Sequence, residues 1–371
     1  MKTVANAGPA DVIALVWFQL GYRPRDSIVL VGLEGPRLRS GLLMRADLPP
    51  ADVRRRDLQA MASRLTGTVM RGGARSVLVL VMEEQIFVRR PRLVGPLLHA
   101  LRRRGVEVVD LLGVTATAFR SLRCADATCC PPGGTPLDAV MSSAVAAEFV
   151  LAGDTVARSE QELVADVVPA GTVGGEAPEP GVETPVVGVG PAGIGAEGLD
   201  VLTARRSWWR DWLTALDAGA IEPSAARRLA VALDDLPLRD AVLVTAVESP
   251  PDEIDVLLEP QSFEEACALF DQGGVADMWR LLAKPPDADR LARARAVLAA
   301  AARHGPAGHR GPALAVLAWL AWYSGDGARA RLLVERAVQD QPDNTLGRLV
   351  GDLLEALVPP PWVRIPAASK G

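Results

Sequence analysis

The sequence predicts two architectures in one chain: an α/β domain built on a mixed sheet with covering helices over residues 1–168, and an all-α helical domain over 200–371. Three observations lead there. In the first half, short β-branched runs alternate with helical patterns, whereas strands nearly vanish after residue 200. Between the halves, residues 169–199 hold nine glycines and five prolines with no aromatic or basic side chain. Such a segment buries too little apolar surface to offset its ordering entropy, so it is expected to be a flexible linker.

The elements follow in order. Asp11 to Leu20 has helical periodicity, and Gly21 is a natural left-handed stop. DSIVLVGLE (26–34) reads as a buried strand, EGPR as a turn, and RLRSGLLMRADL (37–48) as the hairpin partner. Pro49 and Pro50 end that strand, and Asp52 is placed to cap a helix in which Leu58, Met61, Leu65 and Val69 recur at helical spacing. ARSVLVLVM (74–82) is a continuous apolar run, as expected of a central strand covered on both faces. A helix from Arg92 to Arg104 places Leu93, Leu97 and Leu101 on one face. Residues 106–122 read as one or two strands, and Leu137 to Leu151 as a helix after a Cys- and Pro-rich loop.

In the second half, helices are expected over about 200–218, 223–234, 238–247, 262–282, 287–303, 312–324, 327–340 and 344–357. The VLVTAV core of 238–247 also fits a strand. Leu314, Leu317, Ala318, Gly325, Ala330, Val334, Ala337 and Pro342 follow the large and small spacing of a tetratricopeptide-like helix pair, in which the alanines permit close helix approach. One such pair does not make a solenoid.

Charge and composition exclude several classes. The formal net charge is −5, with 37 of the 40 basic residues being arginine. Residues 1–168 carry 21 basic and 17 acidic side chains, too mild an excess for a nucleic-acid footprint. The longest strongly apolar run, Pro312 to Tyr323, is about half of the ~20 residues a membrane-spanning helix needs. No secretory leader pattern opens the chain, so a cytoplasmic protein without a membrane partner is expected.

Few motifs carry chemistry. Gly188, Gly190 and Gly193 spell G-x-G-x-x-G, but they lie in the linker with Pro191 inside the motif and no strand leading in. Phosphate-loop, nucleophile-elbow and HExxH motifs are absent, and the chain has three histidines. RCADATCCPPGGTPL (123–137) crowds Cys124, Cys129 and Cys130 together. These thiols can pack a turn, form a redox pair, or contribute to a zinc site, although four zinc ligands are usual. GYRPRDS (21–27) offers Arg23, Arg25, Asp26 and Ser27 as an anion or ligand site, and a helix C-terminus alone also accounts for its arginines. RRSWWRDW (205–212) mixes bases with tryptophans, yet Trp209, Trp212, Leu213 and Leu216 share one helical face, which reads as core.

Four segments together resemble the actinobacterial domain-of-unknown-function family 4192. GYRPRDSIVLVGL (21–33) is similar to its Gly-Phe-Arg-Pro segment, with Tyr22 in the aromatic place. RADLP (45–49) follows at the expected strand end, CADATCCPP (124–132) is similar to its Cys-Cys-Pro segment, and SGDGARARLLVERAVQDQPDNTLGRLV (324–350) to its C-terminal helical unit. The resemblance implies an actinobacterial source, in keeping with the arginine skew, and a cytoplasmic setting. It implies no activity.

The expectation from sequence is a non-enzymatic interaction or regulatory protein whose helical half presents a surface to a protein partner. The alternative is a redox, metal-binding or small-ligand enzyme using the α/β half, through the cysteine loop or the Arg23–Arg25 turn, with zinc as the one cofactor candidate. Nucleic-acid binding by the first half is the third and weakest reading.

Overall fold

A computed structural model describes residues 8–34, 39–169, 198–247, 258–259, 284–356 and 358–362. The expected turn at 34–37, nearly all of the 169–199 linker with its glycine motif, and the expected helix at 262–282 lie outside these residues. The chain forms two compact units that divide between Glu160 and Gln161.

The first unit is a six-stranded mixed sheet with helices. Its elements are α1 (Pro9–Leu20), β1 (Ser27–Glu34), β2 (Arg39–Asp47), α2 (Arg55–Arg71), β3 (Ser76–Met82), α3 (Val94–Arg103), β4 (Glu107–Val114), β5 (Ala118–Ser121), β6 (Thr135–Pro136), α4 (Asp138–Met141) and α5 (Ala144–Leu151). The strand order is β2-β1-β3-β4-β5-β6. Only β3 and β4 run parallel, because α3 carries the chain across between them. The hairpin partner of β1 matches the expectation, and the stretch 106–122, expected as one or two strands, is two, paired antiparallel.

Both faces of the central strands are buried. Ile28, Leu30, Val77, Val79, Val81 and Leu111 meet Leu58, Leu65, Val69, Leu97 and Leu101 from α2 and α3. The alternate residues, Val29, Leu80 and Leu112 among them, are equally enclosed on the other face. This two-sided cover is why β3 lacks polar alternation.

Two expectations change. Asp52 is not the cap of α2; a turn closed by the Val53 amide on the Pro50 carbonyl intervenes, and Arg54 takes that position without a side-chain cap. The helix expected over 137–151 breaks into α4 and α5 because Ser143 is extended and caps the second through the Ala146 amide.

The second unit is all-helical among its described residues. It contains α7 (Gly198–Ala218), α8 (Pro223–Ala232), α9 (Leu236–Val247), α10 (Ala288–His304), α11 (Gly311–Tyr323), α12 (Gly327–Asp340) and α13 (Thr345–Glu355), preceded by the single turn α6 (Glu160–Leu163). The VLVTAV segment is helical. Val164 and Val167, beyond α6, pack in this core.

All thirteen residues of α11 are buried, since α9, α10, α12 and α13 pack around it. Ala318, Ala330 and Ala337 are fully enclosed between α11 and α12, as close packing of a helix pair requires. Gly325 makes the turn with φ +86°, a conformation that strains any residue with a Cβ.

Candidate functional site

The sheet register builds a cleft in the first unit. Ser27, Met82 and Val114 form one row across β1, β3 and β4, at the carboxyl ends of the parallel pair. Residues just beyond that row, Asp26, Glu83 and Thr115, line a cavity of about 410 Å³. Arg23, Arg25, Trp17, Glu84, Leu137 and Arg158 also line it. In open α/β sheets, the carboxyl ends of parallel strands are where ligands bind, because the chain turns there and leaves a crevice.

Each arginine is placed by local structure. Gly21 ends α1 with φ +74°, which turns the chain back. The Arg23 amide donates to the Ala157 carbonyl at 3.0 Å, and the Ala157 amide to Gly21 at 2.8 Å. These two bonds bring Arg158 to a cavity whose other residues lie far away in sequence. The Arg23 guanidinium stacks on Trp17, 4.7 Å from the ring centre, and its buried Nε has no hydrogen-bond partner. Arg25 and Asp26 are exposed at the rim. Asp26 has φ +43°, the one positive value outside glycine among the described residues. Such strain is commonly kept where the backbone is held by its surroundings, and here the Asp26 carbonyl accepts from the Leu48 amide at 2.7 Å.

Of the four residues expected to meet an anion, three line the cavity and Ser27 does not. Its buried hydroxyl donates to the Arg25 carbonyl at 2.5 Å and accepts from Arg45 Nε at 3.0 Å. Arg45 also pairs with Glu160 at 3.2 Å, and Tyr22 donates its hydroxyl to the same carboxylate at 2.9 Å. Ser27 therefore positions the arginine turn from behind. Two further lining residues, Glu83 and Glu84, are acidic. The Glu84 carboxylate accepts from the Ala116 amide in the turn after β4, and the Glu83 carboxylate from the Gln85 amide in its own turn.

The three cysteines converge. Their sulfurs all lie within 4.8 Å of one another, and Cys129 Sγ is 3.9 Å from Cys130 Sγ. All are free thiols: Cys130 is buried, Cys124 half-buried and Cys129 exposed. The Asp126 carboxylate accepts from the Thr128 and Cys129 amides, and its carbonyl accepts from the Cys130 amide at 2.8 Å. Ser121 Oγ accepts from the Cys124 amide and donates to Asp110 at 2.6 Å. A hydrogen bond shared with Cys130, then the charge of Cys130, then that of Cys124, push the Cys129 thiol above its ordinary value. The arginine cleft and the cysteine loop are distinct, since Phe119 of β5 pairs with Val114 at the cleft end of β4 while Ser121, pairing Leu112, leads into the loop.

The remaining candidates are structural. Trp212 is buried and donates its indole N–H to Thr245 at 2.8 Å. Arg205 forms a two-pronged pair with Asp235, at 2.9 and 3.0 Å, and donates to the Leu258 carbonyl. The RRSWWRDW segment thus turns a tryptophan and an arginine inward. Arg54 to Arg56 and Arg102 to Arg104 are solvated.

A family model described as a domain of unknown function (DUF4192) matches residues 9–260 and 264–361, nearly the whole chain. The chain belongs to that family. No curated protein and no solved structure matches it. Both candidate sites of this DUF4192 protein fall within the matched residues. Sequence reasoning missed Trp17, Glu83, Glu84 and Arg158 as cavity residues, and Arg45 and Glu160 as their support. The one available signal was Tyr22 and its neighbours, whose pairing with residue 157 is invisible in a linear pattern. No helix among the described residues is long and apolar enough to cross a membrane.

Proposed function

We propose that this DUF4192 protein is a binding and regulatory protein whose α/β unit holds a small anion that also carries hydrogen-bond donors. The observation that carries the reading is Arg23: a guanidinium held on Trp17, with a buried and unpartnered Nε, at the carboxyl ends of the parallel strands. Arg23, Arg25 and Arg158 supply the planar donors that suit phosphate or carboxylate. Glu83 and Glu84, which line the same cavity, suit hydroxyl or amino groups on the same molecule. The volume is within the range of small-molecule sites, roughly 300–1,000 Å³.

The cleft is preferred over a partner groove on the helical unit because α11, the first helix of the repeat-like pair, is covered on every side. In this reading the protein works in a cytoplasmic setting, and the helical unit serves a protein partner. The arginine skew and the family resemblance favour an actinobacterial source.

The test is thermal unfolding of the full chain with pyrophosphate or citrate at matched ionic strength, against chloride. Stabilisation in the wild type that Arg23→Ala abolishes supports the reading. Equal behaviour of the two proteins would sink it.

A further inference from the structure

We propose that Cys124, Cys129 and Cys130 together hold one soft metal cation, zinc by preference, with a fourth coordination position open to solvent. The juxtaposition is specific. Sulfurs around a tetrahedral zinc, with Zn–S of about 2.3 Å, stand about 3.8 Å apart. The Cys129–Cys130 separation is 3.9 Å, and all three sulfurs fit within 4.8 Å.

The loop is built to hold that geometry. Two consecutive cysteines donate their amides to one residue, Asp126, whose carboxylate accepts from Cys129 and whose carbonyl accepts from Cys130. The third, Cys124, is fixed separately through Ser121 and Asp110 on adjacent strands. Such outer-shell support orients ligands before a metal arrives. Pro131 follows directly, and its carbonyl accepts from the Gly134 amide, which closes the loop towards β6.

A redox pair needs two sulfurs and leaves the third unexplained; a metal uses all three. Binding a divalent zinc displaces the three thiol protons and leaves one net negative charge on the site. Thiolate donors select zinc or monovalent copper over magnesium or calcium, which prefer oxygen. Exposed Cys129 places the open position on the solvent side, where a water, a small thiol or a partner's side chain completes the shell.

The experiment titrates the reduced full chain with cobalt(II) under anaerobic conditions, followed by zinc. The expected result is one equivalent bound, with thiolate-to-cobalt charge-transfer absorption and the visible bands of a tetrahedral site, both bleached by zinc. Cys124→Ser and Cys129→Ser should each weaken zinc binding by more than the roughly 10–100-fold that loss of an outer-shell partner costs. Cys129 is exposed, so its variant keeps the fold, as circular dichroism would verify, and it carries the test if the buried Cys130→Ser fails to fold. Absence of the charge-transfer band, or zinc binding undiminished in Cys129→Ser, overturns the proposal. So does a wild type whose only thiol chemistry is disulfide formation on mild oxidation.

Discussion

The guanidinium of Arg23 sits over the indole of Trp17, 4.7 Å from the ring centre, so the last turn of α1 positions a cation that the chain presents three residues after that helix has ended. A cation over an aromatic face is worth about 0.5–2 kcal/mol, more when partly desolvated. Arg23→Ala should therefore lower stability by roughly that amount. It should also remove any stabilisation by pyrophosphate. In the wild type, a ligand present at 100 times its Kd adds about 2.7 kcal/mol. That corresponds to a rise in Tm of roughly 5–10 °C for a chain of this class. Arg23→Lys, which keeps the charge and loses the planar fork, should retain only part of the shift in the same assay.

Ser27 supports the arginine turn without reaching the cavity. Ser27→Ala leaves the Arg45 Nε and the Arg25 carbonyl short of a partner, at a position where the serine is buried. A loss of about 1–3 kcal/mol is expected. Denaturant unfolding would measure it. In pyrophosphate titrations the variant should bind more weakly with unchanged stoichiometry, because the arginines remain and only their placement relaxes.

In the helical unit, Arg205 and Asp235 form a pair whose side chains are 10% and 15% exposed. Removing one partner of a buried pair strands the other charge, so Arg205→Ala or Asp235→Ala should cost about 3–5 kcal/mol. Removing both should cost less than the sum. A double-mutant cycle by denaturant unfolding would show that coupling directly.

Asp326 caps α12 through the Arg329 amide at 3.0 Å. Burial pushes its carboxyl above the ordinary value, against the amide bond and the charges of Arg295 and Arg329, which pull it down. The folded chain therefore binds this proton more tightly than the unfolded chain does. Its contribution to stability is full below pH 3.8 and is lost as the pH rises through the raised value. Asp326→Asn keeps an acceptor for the cap and should remove that slope while preserving stability at neutral pH. Thermal midpoints of the two proteins across the acid range would check it.

Much of the fold was legible because its determinants are local. The apolar run at 74–82, the glycine after Leu20 and the helical spacing in 287–340 each specify an element within one stretch of chain. Expectations slipped where a short interaction competed with a pattern. Ser143, an ordinary residue inside an apolar stretch, divides a helix by capping the next one. At the cysteines, spacing brought three thiols into one loop; the directions of their sulfurs depended on Asp126 and Ser121.

By itself the sequence determined the two architectures, the strand and helix order and the crowding of the cysteines, since periodicity, turn residues and composition act between near neighbours. Only the tertiary structure decided the cleft. Trp17, Arg23, Glu83, Thr115 and Arg158 meet through strand register and the two backbone bonds that join residues 21–23 to Ala157. Register and long-range closure are cooperative properties of the packed sheet, and no local pattern encodes them. The same packing turned Ser27 from a prospective ligand into the support behind one.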